Sequence, residues 1–354
     1  AGSGYGQAAR PDRAAPDRAV PMSRTMDAVA ATPPAAGGAA AAGARRRGRP
    51  WRARIGRGIG ARPGDAGAAA AVFIGPALFL IGVFFLLPVL AAFLLSFTDF
   101  DIYAIADPRD TRFVGLRNYV QLLETPLFWT ALKNTLYFAL VGGPLTIAAS
   151  LGAALLVNHR LARFRTLFRT VYFLPFVTTL VAVAIVWRYL YHTRYGLLNY
   201  GLGLLGLGPV DWLGDPRWAM PAIILMATWK NFGYNMLVFI AGLQAIPESL
   251  YDAARIDGAG AWQCFRHVTL PQLGPTTFFV CVITMIGYLQ LFVEPYVMTG
   301  GGPLRATTSL VLLMYEEGFR WWRMGTAAAI AVVLFLIILL ATAIQFRFRP
   351  EERP

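Results

Sequence analysis

The sequence has few of the residues that build enzymatic, redox or metal sites. It contains two cysteines, Cys264 and Cys281, and three histidines in separate segments, so it predicts no disulfide framework, metal cluster or catalytic triad. A G-x-x-x-x-G-K-[ST] phosphate loop is absent from all 354 residues, and without it the chain is not expected to hydrolyse ATP. We therefore expect neither an enzyme nor a bound cofactor.

Acidic residues and lysine are also scarce. The formal net charge of +13 comes from 32 basic and 19 acidic residues, and Lys133 and Lys230 are the only lysines. Of the 32 basic residues, 12 precede Pro63, in a segment whose only aromatic residues are Tyr5 and Trp51, and others flank apolar runs. We interpret this charge as a signal of membrane orientation and expect no nucleic-acid partner.

Apolar residues dominate what is present. Hydrophobic residues make up 56% of the chain and the mean hydropathy is +0.52, more than a soluble domain of this length needs. A bilayer crossing takes about 20 apolar residues. Six segments meet that requirement, at roughly 70–97, 131–157, 170–190, 218–243, 275–298 and 324–346. Gly142, Gly143 and Pro144 predict a kink in the second of these spans.

The distribution of arginine predicts how these spans are oriented. Arg160, Arg163, Arg165 and Arg169 lie between spans two and three, and both ends of the chain are also rich in arginine. The segment after span one carries acidic residues instead. Cytoplasmic loops of membrane proteins are enriched in Lys and Arg, so we expect both termini and the loop around Asp252 in the cytosol.

The first 67 residues are predicted to form a disordered cytosolic tail. They are rich in Ala, Gly, Pro and Arg without helical or strand periodicity. Met22 and Met26 are candidate starts of translation. The arginines between 45 and 49 suit contact with anionic lipid, and a solvated tail is the simpler interpretation. The other parts are the first span with its outer loop, a core of five spans and a cytosolic C-terminal tail, at 68–130, 131–346 and 347–354.

One polar segment stands apart from the apolar runs. Residues 247–271 read PESLYDAARIDGAGAWQCFRHVTLP. Pro247 and Glu248 suit the first turn of a helix, and Gly258 suits a sharp turn before a second short amphipathic helix. We interpret the segment as a pair of helices at the membrane surface with an apolar side for docking.

The spacing in this segment resembles the EAA loop of permease subunits of binding-protein-dependent ABC importers. Asp252 stands where that family usually has Glu. The strings LYDAARIDGA and W-Q-x-F-R-x-V-T-L-P are similar to those of carbohydrate importers of the maltose and glycerol-phosphate type. The resemblance runs from about Val114 to Phe348, through strings such as MTGGGP. The residues that match the loop are Asp252, Ala253, Ala254, Gly258, Val268, Leu270 and Pro271.

The resemblance implies a fold and a set of partners. The fold would be an all-α membrane protein with six transmembrane helices in the bundle of a type I ABC importer permease, in the bacterial cytoplasmic (inner) membrane. The family works with a second homologous permease subunit, two ABC ATPase subunits that bind the ATP, and an extracytoplasmic solute-binding protein. The implied solute is a carbohydrate, either an oligosaccharide or a monosaccharide.

In the family, the EAA loop supplies the coupling helix that sits in a groove of the ATPase subunit. Small alanine side chains permit close approach of another backbone, and charged neighbours can orient the short helix. The alternative is an ordinary amphipathic surface loop. The residues expected to couple to the ATPase are Asp252, Ala253, Ala254, Arg255, Asp257, Gly258, Leu270 and Pro271.

Polar side chains at membrane depth mark a candidate solute pathway, because burying them in hydrocarbon without partners is costly. We expect the asparagines to bind sugar hydroxyls and Tyr288 and Trp229 to stack on a pyranose ring. The alternative is hydrogen bonding between helices. The candidate residues are Trp229, Asn231, Asn235, Thr284, Tyr288, Gln290 and Glu294.

The two charged residues near this pathway are expected to act separately. Glu294 is predicted near the outer mouth, as a gate or a contact for the binding protein. Lys230 is predicted at a different depth, where it would snorkel or pair with a second permease subunit. We therefore do not predict that they form a pair.

Two outer loops are candidates to receive a loaded solute-binding protein. They span residues 191–217 and 299–323. Their tryptophans, Trp212, Trp321 and Trp322, equally suit anchoring at the membrane interface.

Other functions are compatible with parts of this pattern. The same architecture could import glycerol phosphate, another polyol or a polyamine. A secondary transporter or a membrane scaffold is the alternative from a different class. Secondary transporters often show repeated halves, which we do not find, and a scaffold does not need the coupling-loop spacing.

Overall fold

The computed structural model describes residues 63–101, 111–159 and 163–348. The chain separates into two units, residues 1–66 and 67–354, and the packing described below lies within the second. The predicted tail lies outside the described residues, except for its last residues, which begin the first helix at Pro63. The predicted C-terminal tail lies outside them after Phe348.

The described chain is almost entirely helical, with one isolated β-bridge between Thr98 and Phe113. The helices are α1 (Pro63–Ile81, Gly82–Leu86 and Leu87–Leu95), α2 (Arg117–Glu124), α3 (Pro126–Tyr137, Phe138–Gly142 and Gly143–Asn158), α4 (Arg165–Val177), α5 (Leu180–Leu190), α6 (Leu197–Leu204), α7 (Pro216–Gln244), α8 (Glu248–Ile256), α9 (Ala261–Gln272), α10 (Gly274–Leu289), α11 (Val293–Met298), α12 (Leu310–Tyr315 and Glu316–Arg320) and α13 (Met324–Arg347).

Membrane-spanning helices account for most of this list. Within the described ranges, four helices are long and apolar enough to cross a membrane alone, namely Val72–Leu95 in α1, together with α3, α7 and α13. Two bent pairs, α4 with α5 and α9 with α10, raise the number to six if each pair is one span. The all-α membrane fold is therefore confirmed.

The third and fifth spans differ from the continuous helices that we predicted. The axes of α4 and α5 meet at 98°, and the break falls at Thr178 and Thr179, where the backbone is extended. The fifth span ends at Leu289, and the chain resumes as the separate short helix α11 at Val293. Apolar composition reports that a segment lies in the bilayer, but it does not report where backbone hydrogen bonding is interrupted.

The predicted irregularity in the second span is a π-helical turn. Residues Phe138–Gly142 form this turn inside α3, directly before Gly143 and Pro144. Proline has no N–H to donate and its ring crowds the preceding turn, so a wider turn relieves the conflict without ending the helix.

Helix α7 is the central element of the bundle. It packs against α3 and α4, and most of its residues are buried, including Met226, Met236 and Phe239. Helix α1 has the opposite character, because its described side chains from Val72 to Leu95 are nearly all exposed and apolar. In a bilayer, such a surface contacts lipid or another apolar subunit.

The contact between α7 and α4 depends on a residue without a side chain. A Cβ atom at Gly233 would overlap the backbone carbonyl oxygen of Tyr172. Small residues at helix interfaces permit this close backbone approach in membrane proteins.

We predict that Gly233→Ala destabilises the bundle by ~1–3 kcal/mol, because α4 must move away from α7 to admit the methyl group. Gly152→Ala in α3 is the matched control, since a Cβ at Gly152 meets nothing within 4 Å. The control should be neutral or stabilising by up to ~1 kcal/mol, because alanine favours helix. Thermal unfolding in detergent compares the two, and equal midpoints would contradict the close packing.

Candidate functional site

The polar segment forms the helix pair that its sequence predicts. Helix α8 follows Pro247, and Gly258 has a φ of +80°, a backbone conformation that residues with a Cβ rarely adopt. The amide of Gly258 donates to the Arg255 carbonyl at 3.0 Å, and the amide of Ala259 donates to the Ala254 carbonyl at 2.9 Å. These bonds close the end of α8 and turn the chain sharply into α9.

The charged side chains of α8 interact with each other. Arg255 donates to the Asp252 carboxylate at 2.7 Å, and both side chains are more than half exposed. An exposed pair of this kind contributes little to stability. Its carboxylate and guanidinium lie at the surface, together with the exposed Ala253 and Asp257.

The helix pair also presents apolar side chains outward. Ile256 is 86% exposed and Trp262 is 68% exposed, and the ring of Trp262 lies 5.5 Å from that of Phe265. The hydroxyls of Tyr251 and Thr269 lie 3.0 Å apart and join α8 to α9. Leu270 and Pro271 are exposed at the end of α9, where the chain bends by 64° into α10. The two helices are therefore joined to each other and leave apolar side chains exposed, as a docking surface requires.

A cavity of about 310 Å³ lies beside α7, inside the bundle. It brings together five of the predicted pathway residues with residues from the π turn of α3 and from the bend between α4 and α5. The cavity is lined by Phe138, Phe176, Leu180, Lys230, Asn231, Tyr234, Asn235, Ile283, Thr284, Gly287, Tyr288 and Glu294.

Hydrogen bonds between helices hold several of these polar groups. The Asn235 amide donates to the Thr284 hydroxyl at 3.0 Å, and the Tyr288 hydroxyl lies 2.5 Å from that of Thr146. The Asn231 amide donates to the Ala227 carbonyl at 2.9 Å. Helix-to-helix bonding, the alternative that the sequence left open, therefore occurs at Asn235, Thr284 and Tyr288. These bonds use the amide nitrogens of Asn231 and Asn235, and both residues line the cavity.

The Tyr288 ring is held from two sides. It stacks on Phe138 with ring centroids 4.7 Å apart, and a Cβ at Gly142 would approach the ring to 2.8 Å. The absence of a side chain at Gly142 thus makes room for Tyr288, and one face of the ring is already covered by Phe138.

Lys230 and Glu294, which we expected to act separately, both line this cavity. Lys230 does not snorkel, since only 6% of it is exposed and its ammonium donates to the carbonyls of Pro175, Phe176 and Thr178. Glu294 is 9% exposed and lies in α11 instead of in a continuous fifth span. Among the described residues, the ion pairs do not include one between Lys230 and Glu294.

Trp229 and Gln290 lie apart from the cavity lining. Trp229 is exposed, and its ring packs 5.5 Å from that of Trp187 in α5. Gln290 is exposed at the end of α10. A role for either residue in the solute pathway stays a prediction, as it does for the residues that line the cavity.

The first predicted outer loop is held by partly buried hydrogen bonds of Asn199. The Trp212 indole donates to Asn199 at 2.9 Å and packs 5.6 Å from the Tyr191 ring. Trp212 is thus a packing residue of this loop, whereas Trp321 and Trp322 are 56% and 41% exposed.

The second predicted outer loop, residues 299–323, is hydrogen-bonded to α3 next to its glycine-rich part. The Asn134 amide donates to the carbonyls of Arg305 and Thr308 at 2.9 and 3.0 Å. Arg305 in turn donates to the buried Glu316 carboxylate at 2.6 Å. Burial raises the pKa of the neighbouring Glu317 carboxyl. The positive charge of Arg323, whose guanidinium nitrogen lies 2.7 Å from a carboxylate oxygen of Glu317, acts in the opposite direction and lowers this pKa.

Sequence reasoning missed three aromatic residues of the cavity, Phe138, Phe176 and Tyr234. The rings of Phe176 and Tyr234 stack on each other with centroids 4.8 Å apart. A signal for Phe176 was present in the sequence, because Pro175 followed by Thr178 and Thr179 is a plausible helix end in an apolar run. Nothing comparable distinguishes Tyr234 from the other aromatic residues of the spans.

The helical bundle, the polar cavity and the exposed helix pair define an integral membrane component of a transport system. The sequence matches the family described as "Binding-protein-dependent transport system inner membrane component" over residues 142–353, and the chain belongs to that family. It is therefore the transmembrane permease subunit of an ABC importer and not an enzyme.

Individual relatives cover most of the chain. It is 38% identical to the lactose transport system permease protein LacF of Rhizobium radiobacter, over 80% of this chain and 94% of that protein. It is 36% identical to the trehalose/maltose transport system permease protein MalF of Thermococcus litoralis, over 79% and 94%. It is 34% identical to the sn-glycerol-3-phosphate transport system permease protein UgpA of Yersinia pestis, over 77% and 91%.

A solved structure shares the fold. The crystal structure of a bacterial ABC transporter that imports the acidic polysaccharide alginate contains a chain that superposes with a TM-score of 0.64. The two chains are 26% identical, and the match covers 79% of this chain and 95% of that one.

The bond between Asn235 and Thr284 generates a prediction on stability. Thr284→Val should destabilise the bundle by roughly 1 kcal/mol, because it removes the acceptor of the Asn235 amide. Thr277→Val on the same helix is the control, since the buried Thr277 hydroxyl has no hydrogen-bond partner among the described residues. The control should be neutral or stabilising. Thermal unfolding of both variants measures these changes. A larger loss of stability in Thr277→Val than in Thr284→Val would contradict the hydrogen bond between Asn235 and Thr284.

Proposed function

We propose that this chain is the permease subunit of a carbohydrate importer. With a second homologous permease it forms the translocation pathway, and two ATPase subunits bind the ATP that drives transport. An extracytoplasmic binding protein delivers an oligosaccharide or a monosaccharide. The observation that carries the proposal is the cavity beside α7, where amide and hydroxyl groups alternate with aromatic rings.

The chemistry of the cavity suits a sugar. A sugar ring presents hydroxyl groups at its edge and apolar C–H groups on its faces. Asn231, Asn235 and Thr284 supply polar contacts on one side, and Phe176 and Tyr234 supply flat apolar surfaces. The volume of about 310 Å³ lies at the lower end of the ~300–1,000 Å³ typical of small-molecule sites.

The relatives support this solute class by their names. Among them are transport permeases for lactose, trehalose and maltose, and arabinooligosaccharides. The sn-glycerol-3-phosphate relative keeps a phosphorylated polyol as the second candidate.

The exposed helix pair α8–α9 is the proposed contact with the ATPase subunits. Its support is the uncovered apolar side chains Ile256 and Trp262, held beside the sharp turn at Gly258. We place it on the cytosolic side of the bacterial inner membrane together with both termini, on the basis of the arginine distribution. The loops at 191–217 and 299–323 then face the binding protein.

Gly258→Asp should reduce the amount of ATPase subunit that co-purifies with this chain by more than about tenfold, since ~1.4 kcal/mol of lost binding has that effect. Aspartate strains the turn and adds a charge to the proposed interface. Ala254→Asp, which leaves the turn intact, should have the same effect.

Gly206→Asp is the matched control for Gly258→Asp. Gly206 also has a positive φ, of +74°, and a Cβ there meets nothing within 4 Å, but it lies in the loop proposed to face outward. The control should retain the ATPase subunits. If Gly258→Asp and Ala254→Asp also retain them while the chain inserts normally, the helix pair is not the ATPase contact.

The solute class is tested with the complete complex in lipid vesicles. Its binding protein is loaded with lactose, maltose, trehalose or sn-glycerol 3-phosphate, and uptake and ATP hydrolysis are measured. We expect at least one neutral sugar to be taken up with increased hydrolysis. Uptake of sn-glycerol 3-phosphate alone would replace the carbohydrate assignment by the second candidate.

A further inference from the structure

The break in the third span leaves carbonyl groups without helical partners. A helix ends with its last four C=O groups unbonded within the helix, and in a bilayer no water satisfies them. Helix α4 ends at Val177, and α5 leaves at 98°, so it cannot continue the hydrogen bonding. The affected carbonyls include those of Pro175 and Phe176, together with that of Thr178 in the break.

Lys230 of α7 satisfies all three of these carbonyls. Its Nζ donates to Pro175 O and Phe176 O, each at 3.2 Å, and to Thr178 O at 3.0 Å. A lysine ammonium has three N–H donors, so this arrangement uses every one of them. The positive charge also lies at the C-terminal end of α4, where the helix dipole favours a cation.

The same contact fixes an aromatic surface of the cavity. The Lys230 ammonium lies 5.7 Å from the centroid of the Phe176 ring, and that ring stacks on Tyr234 at an interplanar angle of 21°. Tyr234 follows Lys230 by one turn of α7, so a single stretch of α7 holds both the backbone and the ring of Phe176. Both rings line the cavity.

We propose that Lys230 is a positioning residue for the transported solute. It holds the bend of the third span so that the Phe176 ring, stacked on Tyr234, forms an aromatic wall against which the solute packs. Lys230 therefore acts through the bend and does not itself bind the solute. Calling that solute a carbohydrate rests on the proposed function, whereas the role of Lys230 in shaping the wall does not.

Loss of the ammonium leaves the carbonyls of Phe176 and Thr178 without their donor, whereas the Pro175 carbonyl keeps a bond from the Thr178 hydroxyl at 2.6 Å. The bend can then relax only by moving the end of α4, which carries Phe176 away from Tyr234. A general loss of fold would lower solute uptake and ATP hydrolysis together. Loss of the wall alone lowers the number of solute molecules transported per ATP hydrolysed, because the ATPase subunits are contacted elsewhere, at α8–α9.

The test uses the complete complex in vesicles, with radiolabelled lactose, maltose and trehalose as probes. Lys230→Met should lower the ratio of sugar transported to ATP hydrolysed by about tenfold, and Lys230→Arg should restore it to within about threefold. Arginine keeps the charge and the N–H donors, whereas methionine keeps only the length. Lys133→Met is the matched control at the other lysine, which is exposed on α3, and it should leave the ratio unchanged.

A double-mutant cycle shows whether Lys230 acts through Phe176. Phe176→Leu removes the ring without removing a hydrogen bond, and it should lower the ratio by a similar factor. In the double variant the two effects should not multiply, because both remove the same wall. Independent, multiplying effects would overturn the proposal, and so would a wild-type ratio in an assembled Lys230→Met complex.

The outcomes also separate this inference from the proposed function. If Lys230→Met does not assemble, the Phe176→Leu variant still tests the wall. An unchanged ratio of sugar transported to ATP hydrolysed in that variant would show that there is no solute-binding wall. If the wild-type complex transports none of the three sugars, the carbohydrate assignment fails. The same variants are then measured with sn-glycerol 3-phosphate. A lowered ratio of solute transported to ATP hydrolysed in Lys230→Met supports the Lys230 proposal, and an unchanged ratio overturns it.

Discussion

The satisfaction of backbone hydrogen bonds at the break in the third span is the constraint on which the cavity depends. A membrane helix can break only where other groups replace the lost bonds. Lys230 provides that replacement for the carbonyls of Pro175, Phe176 and Thr178. The break turns α5 away from α4 and leaves Phe176 and Leu180 beside the cavity. A lysine that would be costly in hydrocarbon is thus stabilised by the structural irregularity that creates the cavity.

Helix α7 concentrates the features that build this region. Gly233 admits the backbone of α4, Lys230 binds its end, and Asn235 reaches across to α10. These residues lie within two turns of the helix, so small, charged and amide side chains share one short stretch of α7. A rotation of α7 would therefore move both walls of the cavity at once, which is how a bundle can change access to a solute without unfolding.

The apolar runs and the spacing at 252–271 were enough to predict the all-α membrane fold, the family and the turn at Gly258. Pro175, Thr178 and Thr179 gave a local signal for a helix end, but the residue that stabilises the bend could not be predicted, because Lys230 lies some fifty positions later in the sequence. The separation of Glu294 from α10, in the short helix α11, was likewise not predicted. Local turn chemistry is readable from sequence, whereas partners distant in the chain are not.

The exposure of Ile256 and Trp262 has a consequence for how cells handle this subunit. If the helix pair lies on the proposed cytosolic side, a newly inserted chain exposes these apolar side chains to water before the proposed partner covers them. Such surfaces are bound by chaperones and quality-control proteases, and they promote aggregation. The abundance of this chain is therefore expected to follow the supply of its partner, so that unassembled copies are removed and the stoichiometry of the transporter is set by degradation as well as by synthesis.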